Sequence, residues 1–170
     1  MRKTRFILLI LAAAVLAAGL GACNFKKDTE TPKFYGKWET EPRQNNLGYW
    51  YVELWEFNED GTFFRGFDYK MPADAKQTLE EHFAERAALG LEPTGKDEMY
   101  GTYSVEDGLL VMTPTKLVSG GETSWLKDVE SYKYNYDETY ENDELTALFL
   151  KPLPDLAGIV RESTTIYKVK

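Results

Sequence analysis

The chain contains a single cysteine, Cys23, and a single histidine, His82. A lone thiol has no partner for an internal disulfide, so stability must come from packing. A zinc site or a nucleophile–base triad would need partners for His82 that the sequence does not visibly supply. No glycine-rich phosphate loop is present, and no pair of carboxylates stands at a recognisable catalytic spacing. The sequence thus argues against an enzyme, with no cofactor and no metal expected; carboxylates brought together only by folding stay open. Positive charge is also short. Lys and Arg number 20 against 28 Asp and Glu, for a net charge of −8. Nothing here has the electrostatic footprint of a nucleic-acid partner.

Long apolar runs are scarce as well, with one exception. Phe6 to Leu16 is unbroken, preceded by Arg2, Lys3 and Arg5 and followed by the small residues Ala17, Ala18, Gly19 and Gly21. These are the three parts of an export signal. Its last four residues, Leu20-Gly21-Ala22-Cys23, resemble the bacterial lipobox at every position. The resemblance implies a leader over residues 1–22, cleavage before Cys23, and a diacylglycerol-modified, acylated cysteine as the first mature residue. A transmembrane helix over Phe6–Cys23 is the competing reading. That stretch is at the bottom of the spanning range, about 17–25 residues, and no cationic stop follows at once. Two or three acyl chains hold a protein stably on a bilayer, each buried CH₂ adding about 0.8 kcal/mol.

Loss of the leader removes Arg2, Lys3 and Arg5 and takes the net charge from −8 to −11. Anionic headgroups would repel such a chain, so the lipid on Cys23 must be its membrane contact. Residues 23–33 are polar and charged, contain Pro32, and read as a tether. Lys26-Lys27-Asp28 loosely resembles a surface-export signal, although a solvated linker explains it as well. Asn24, in the sorting rule that lipoproteins of this kind follow, is compatible with the outer membrane. The expected location is the cell envelope, outer membrane, with the leaflet open.

Residues 34–170 read as one domain. Aromatics make up 14% of the chain, and pleated strands accommodate them well. Strands are expected at Phe34–Glu41, Tyr49–Phe57, Thr62–Tyr69, Tyr100–Val105, Leu109–Thr113, Trp125–Thr139, Leu145–Lys151 and Ser163–Val169. Glu59-Asp60-Gly61 reads as a three-residue hairpin loop, the same chemistry recurs at Glu106-Asp107-Gly108, and a third turn falls at Glu141-Asn142. Eight or so strands in consecutive hairpins predict a mainly β fold, an antiparallel up-and-down barrel. One helix interrupts it, expected over Ala73–Leu89, with Pro72 at its start, Gly90 at its end and an apolar stripe of Ala75, Leu79, Phe83 and Ala87.

If Phe57 pairs with Phe63, one face of the first hairpin carries Tyr51, Glu53, Trp55, Phe57, Phe63, Arg65 and Phe67. The other carries Trp50, Val52, Leu54 and Phe64. Both are largely apolar, whereas a sheet with one face in water alternates cleanly. One face is therefore expected to line the barrel, with the helix covering the other, on the outside or across the rim.

Phe34-Tyr35-Gly36-Lys37-Trp38-Glu39 carries a Gly-x-Trp motif on the first strand. It is followed by Trp55-x-Phe57, Asp60-Gly61-Thr62-Phe63, Gly101-Thr102-Tyr103-Ser104 and Ile166-Tyr167-Lys168-Val169. As an ordered set these resemble bacterial lipocalin-like lipoproteins, from Tyr35 to the C-terminus. The resemblance implies that Trp38 closes the barrel floor against a cation from the last strand, Lys168 or Lys170, with Arg161 a poorer candidate. A cation over that ring contributes about 0.5–2 kcal/mol. Two departures stand out: the helix lies between early strands, and the family's usual disulfides are missing. An eight-stranded barrel can be filled or hold one small ligand.

Candidate ligand-binding residues follow from the inward face. Glu53 and Arg65 are diagonal neighbours beside Trp55 and Phe67, suited either to anchoring a ligand headgroup or to a structural ion pair. Tyr132, Tyr134 and Tyr136 share one strand face, where they could stack on a glycan, line a cavity or simply pack as core. Asp137, Glu138, Glu141, Asp143 and Glu144 read as a solvated acidic turn, His82 as a helix-surface residue, and 151–161 as a lid, a partner edge or ordinary packing. The expected function is binding of a small apolar or amphipathic molecule by a monomer; the alternative is a filled barrel whose surface binds a protein or glycan.

Overall fold

A computed structural model describes residues 34–159 and 161–170. The expected leader, Cys23, the Lys26-Lys27-Asp28 run and the rest of the 23–33 tether lie outside the described residues, as does Val160.

Among the described residues ten strands and one helix follow one another, joined largely by the hairpins that the turn signals suggest. The strands are β1 (Gly36–Glu39), β2 (Arg43–Gln44), β3 (Trp50–Phe57), β4 (Thr62–Tyr69), β5 (Glu98–Glu106), β6 (Leu109–Ser119), β7 (Glu122–Trp125), β8 (Tyr132–Glu141), β9 (Glu144–Pro152) and β10 (Thr164–Lys168). The helix, α1, is Leu79–Ala88. Every strand pairing is antiparallel, in the order β1-β10-β9-β8-β6-β5-β4-β3, and β1 pairs β3 to close the ring. The fold is a closed eight-stranded up-and-down β-barrel. Short β2 extends the edge of β3, and β7 folds back on β6 outside the ring.

Turn chemistry sets the registers. Phe57 pairs Phe63 across the first hairpin, with Gly61 at φ 79° and Asp60 Oδ1 accepting from the Thr62 amide at 2.9 Å. The second and third hairpins are tighter than expected. Asp107 with Gly108, and Asn142 with Asp143, form two-residue turns with both φ positive, the twist that matches paired strands. A fourth turn of this kind, Gly120-Gly121, was not anticipated. It ends β6 at Ser119 and begins β7, so the single strand expected over 125–139 is two strands separated by a loop at 126–131.

One end of the barrel is filled. Phe34, Trp38, Phe57, Phe63, Tyr103, Leu110, Leu148, Leu150 and Ile166 are buried inward-facing residues that meet there. Trp38 pairs Lys168, whose Nζ lies 5.7 Å from the indole centroid, and its Nε1 donates to the Phe34 carbonyl at 2.9 Å. Gly101 allows the close crossing of β5 over β6: a Cβ there would overlap the Thr113 carbonyl and approach Phe63 at 2.7 Å. The register shifts between Tyr100 and Gly101, pairing Gly101 with Pro114 but Met99 with Leu117. This bulge turns Leu117 inward and gives Pro114 a place in the strand.

The helix is shorter than its composition suggested. Thr78 caps it, accepting from the Glu81 amide at 3.2 Å while Glu81 accepts from the Thr78 amide at 2.7 Å. That reciprocal cap starts the helix six residues later than expected. Of the expected stripe of Ala75, Leu79, Phe83 and Ala87, only Leu79 and Phe83 are half-buried. Ala75 precedes the helix and Ala87 is exposed. His82, expected on the surface, is 3% exposed. Its Nε2 meets the Gly48 carbonyl and its Nδ1 meets Gln77 Nε2, both at 3.1 Å. His82 and Phe83 pack against Tyr49, and Phe83 against Tyr69, at the rim opposite the filled end.

Candidate functional site

The unfilled end is where β3, β4, β5 and β6 carry their inward residues past the core. Tyr51, Glu53, Arg65, Phe67, Met99 and Leu117 surround a cavity of about 460 Å³ that opens to solvent. Period-two alternation from the Phe57–Phe63 pair puts Tyr51, Glu53, Arg65 and Phe67 on this wall, as the sequence indicated.

One carboxylate shared by two arginines stands on this wall, and Asp97 and Glu98 border the cavity from another. Glu53 Oε2 accepts from Arg65 Nη2 at 3.0 Å, and Oε1 accepts from Arg43 Nη2. The Glu53 side chain is 13% exposed, those of Arg65 and Arg43 30% and 39%, so the triad is only partly screened by water. Arg65 also lies over the Trp55 ring at 4.5 Å, and Arg43 over Tyr51 at 5.3 Å.

Behind that triad lies a second recess of about 190 Å³. Arg43, Arg65, Trp55, Tyr134 and Arg161 are among its walls, with Glu162–Thr164 at its edge. Trp55 and Tyr134 meet at 6.3 Å, edge to face. Burial pushes the Tyr134 phenol above its ordinary range, while Arg65 and Arg161 pull it down. Tyr132 sits under Arg161, 4.2 Å from the guanidinium. Tyr136 belongs to the other end, 5.4 Å from Phe34. The tyrosine strip is therefore divided: Tyr134 lines the recess, Tyr132 carries the Arg161 guanidinium beside it, and Tyr136 packs with the core.

Arg43, Tyr51, Met99 and Leu117 escaped the sequence reading of the site. Tyr51 carried a signal, since it alternates with Glu53. Leu117 did not, because the bulge reverses its face. Arg43 comes from a two-residue strand, and Arg161, considered only against Trp38, follows an irregular segment. In that segment Leu156 and Ile159 are 90% and 60% exposed, and Pro152, which ends β9 just before it, is buried.

A separate outward groove of about 620 Å³ runs beside Phe64, Tyr100, Lys116 and Trp125. Trp125 is 74% exposed, and Lys116 lies over Tyr100 at 3.6 Å. Asp137, Glu138, Glu141, Asp143 and Glu144 are all exposed. Among the described residues no cluster could hold a metal ion, and no helix is long and apolar enough to cross a membrane.

The chain matches no family model, no curated protein and no solved structure.

Proposed function

We propose that this chain is a lipocalin-like lipoprotein of the bacterial cell envelope whose barrel takes up a small apolar or amphipathic molecule at its unfilled end. The anchoring part rests on Leu20-Gly21-Ala22-Cys23 after an export-type leader. Lipid on Cys23 holds the protein to the outer membrane, and residues 23–33 link it to the barrel. The binding part rests on one observation: aromatic and aliphatic side chains fill one end of the barrel, while the other keeps a cavity of about 460 Å³ walled by Tyr51, Phe67, Met99 and Leu117. That volume is within the range of small-molecule sites, roughly 300–1,000 Å³, and polar groups border it from two walls, Glu53 and Arg65 on one and Asp97 and Glu98 on the other. No catalytic step belongs to this reading.

Native mass spectrometry of the protein purified from its own host tests both parts. The expected species begins at an acylated Cys23 and retains a reproducible small molecule. A chain that keeps residues 1–22 overturns the anchor, and a ligand-free chain across preparations overturns the binding.

A second reading has its own observation. Trp125, together with Phe64 and Tyr100, offers an exposed aromatic groove on the barrel's outside, a surface suited to a glycan or protein. Under it, Trp125→Ala abolishes capture on a glycan array and leaves small-molecule retention unchanged.

A further inference from the structure

The recess behind Glu53 is unusual for so acidic a chain. Three guanidiniums, of Arg43, Arg65 and Arg161, line it, although the net charge is −8. Glu53 offsets Arg43 and Arg65 together. Among the described residues Arg161 forms no ion pair, and its contact is the Tyr132 ring. Glu162, the other carboxylate at the recess, is exposed at the edge.

The buried atoms at the recess that are left without a partner have one polarity. Trp55 is 2% exposed and, among the described residues, its indole Nε1–H has no hydrogen-bond partner, and the buried Arg43 Nε–H has none either. Both residues line this recess. Both atoms are donors, so what completes the recess is an acceptor. Buried donors are ordinarily paired, and a pair left open in a recess fits a group that arrives from outside. A guanidinium fork matches the two oxygens of a carboxylate, and partial burial strengthens that bond over its value in water. The same Glu53 and Arg65 side chains also border the larger apolar cavity, so the recess and the cavity share one wall.

We infer that the recess is an anion subsite, and that the ligand is an amphipathic carboxylate with its head among Arg43, Arg65 and Arg161 and its apolar tail in the cavity. This rests on the binding function proposed above and narrows it from apolar molecules in general to those with a carboxylate. The placement of Tyr134 agrees with it, since the fields of Arg65 and Arg161 both reach its phenol.

Calorimetric titration of the full chain in lipid nanodiscs, with empty nanodiscs as the blank, tests the inference with octanoate and 1-octanol as probes. Octanoate is expected to bind saturably and about tenfold more tightly than octanol, the difference one charge-assisted hydrogen-bonded contact confers. Arg161→Gln is expected to weaken octanoate by about tenfold and leave octanol unchanged, and Arg161→Lys to restore part of the loss. Arg161 is exposed and outside any ion pair among the described residues, so its replacement is expected to leave the thermal unfolding midpoint in place. Equal affinities for octanoate and octanol, or an Arg161→Gln variant that binds octanoate as before, would overturn the anion subsite while the apolar-ligand reading stands. Absence of saturable binding for both probes overturns the two together.

Discussion

Tyr103 concentrates at one residue what holds the filled end. It is 6% exposed, its hydroxyl donates to the Asn58 carbonyl at 2.8 Å, and its ring meets Phe57 at 4.9 Å. Burial, with the Asp60 carboxylate adding to it, pushes the phenol up to about 12. The unfolded chain ionises this group near 10, so the folded state holds the proton over a window that the unfolded state does not. Its contribution is complete below pH 10 and is lost as pH rises through 12, on the order of 2 kcal/mol. Alkaline titration of urea stability is expected to fall across that window, and to fall less steeply in Tyr103→Phe. Identical slopes for the two proteins would contradict the assignment. The Glu53–Arg65 pair was legible at this scale because one hairpin register places both. His82 was not: isolated among glutamates it looks like a surface residue, and only the distant Gly48 carbonyl shows why it is buried.

Elements were legible where local chemistry decides them and misjudged where two local signals compete. Thr62–Tyr69 has the expected bounds because an Asp-Gly loop precedes it and a proline-containing stretch follows. The Gly120-Gly121 turn is equally local, but the tyrosine-rich run that follows reads as one long strand from Trp125, which hides β7. For the helix, good formers over 73–78 pointed one way and the Thr78–Glu81 capping box another, and the cap prevailed. Thr78→Ala removes the hydroxyl that accepts from the Glu81 amide and keeps the Thr78 amide that donates to the Glu81 carboxylate, and a lost cap costs about 1 kcal/mol. Since α1 meets the barrel through the side chains of His82 and Phe83, the loss is expected to stay local. Amide exchange across residues 79–88 should quicken about fivefold with the barrel's exchange unaltered. Uniform acceleration over the whole domain would mean that helix and barrel unfold as one unit.

At the scale of the molecule, barrel closure was readable from consecutive hairpins, since each strand finds its neighbour through a short turn. Which end would be filled was not, because that depends on how residues far apart in sequence converge. Phe34, Tyr136 and Tyr103 meet only after the ring has closed through β1. The outcome divides labour along the barrel axis: packing at one end supplies stability, and the other end is free to be a site. Two truncations separate these roles. Leu110 is fully buried, and Leu110→Ala should cost about 2–5 kcal/mol because the core around it relaxes only partly. Met99 is half-buried and already borders the open cavity, so Met99→Ala removes few contacts and should cost less than about 1 kcal/mol. Urea unfolding reads both, as a large fall in midpoint for the first and a small one for the second at unchanged slope. Comparable losses would mean that the two ends are packed alike. The cavity around Met99 would then be part of the core, with no room kept for a ligand.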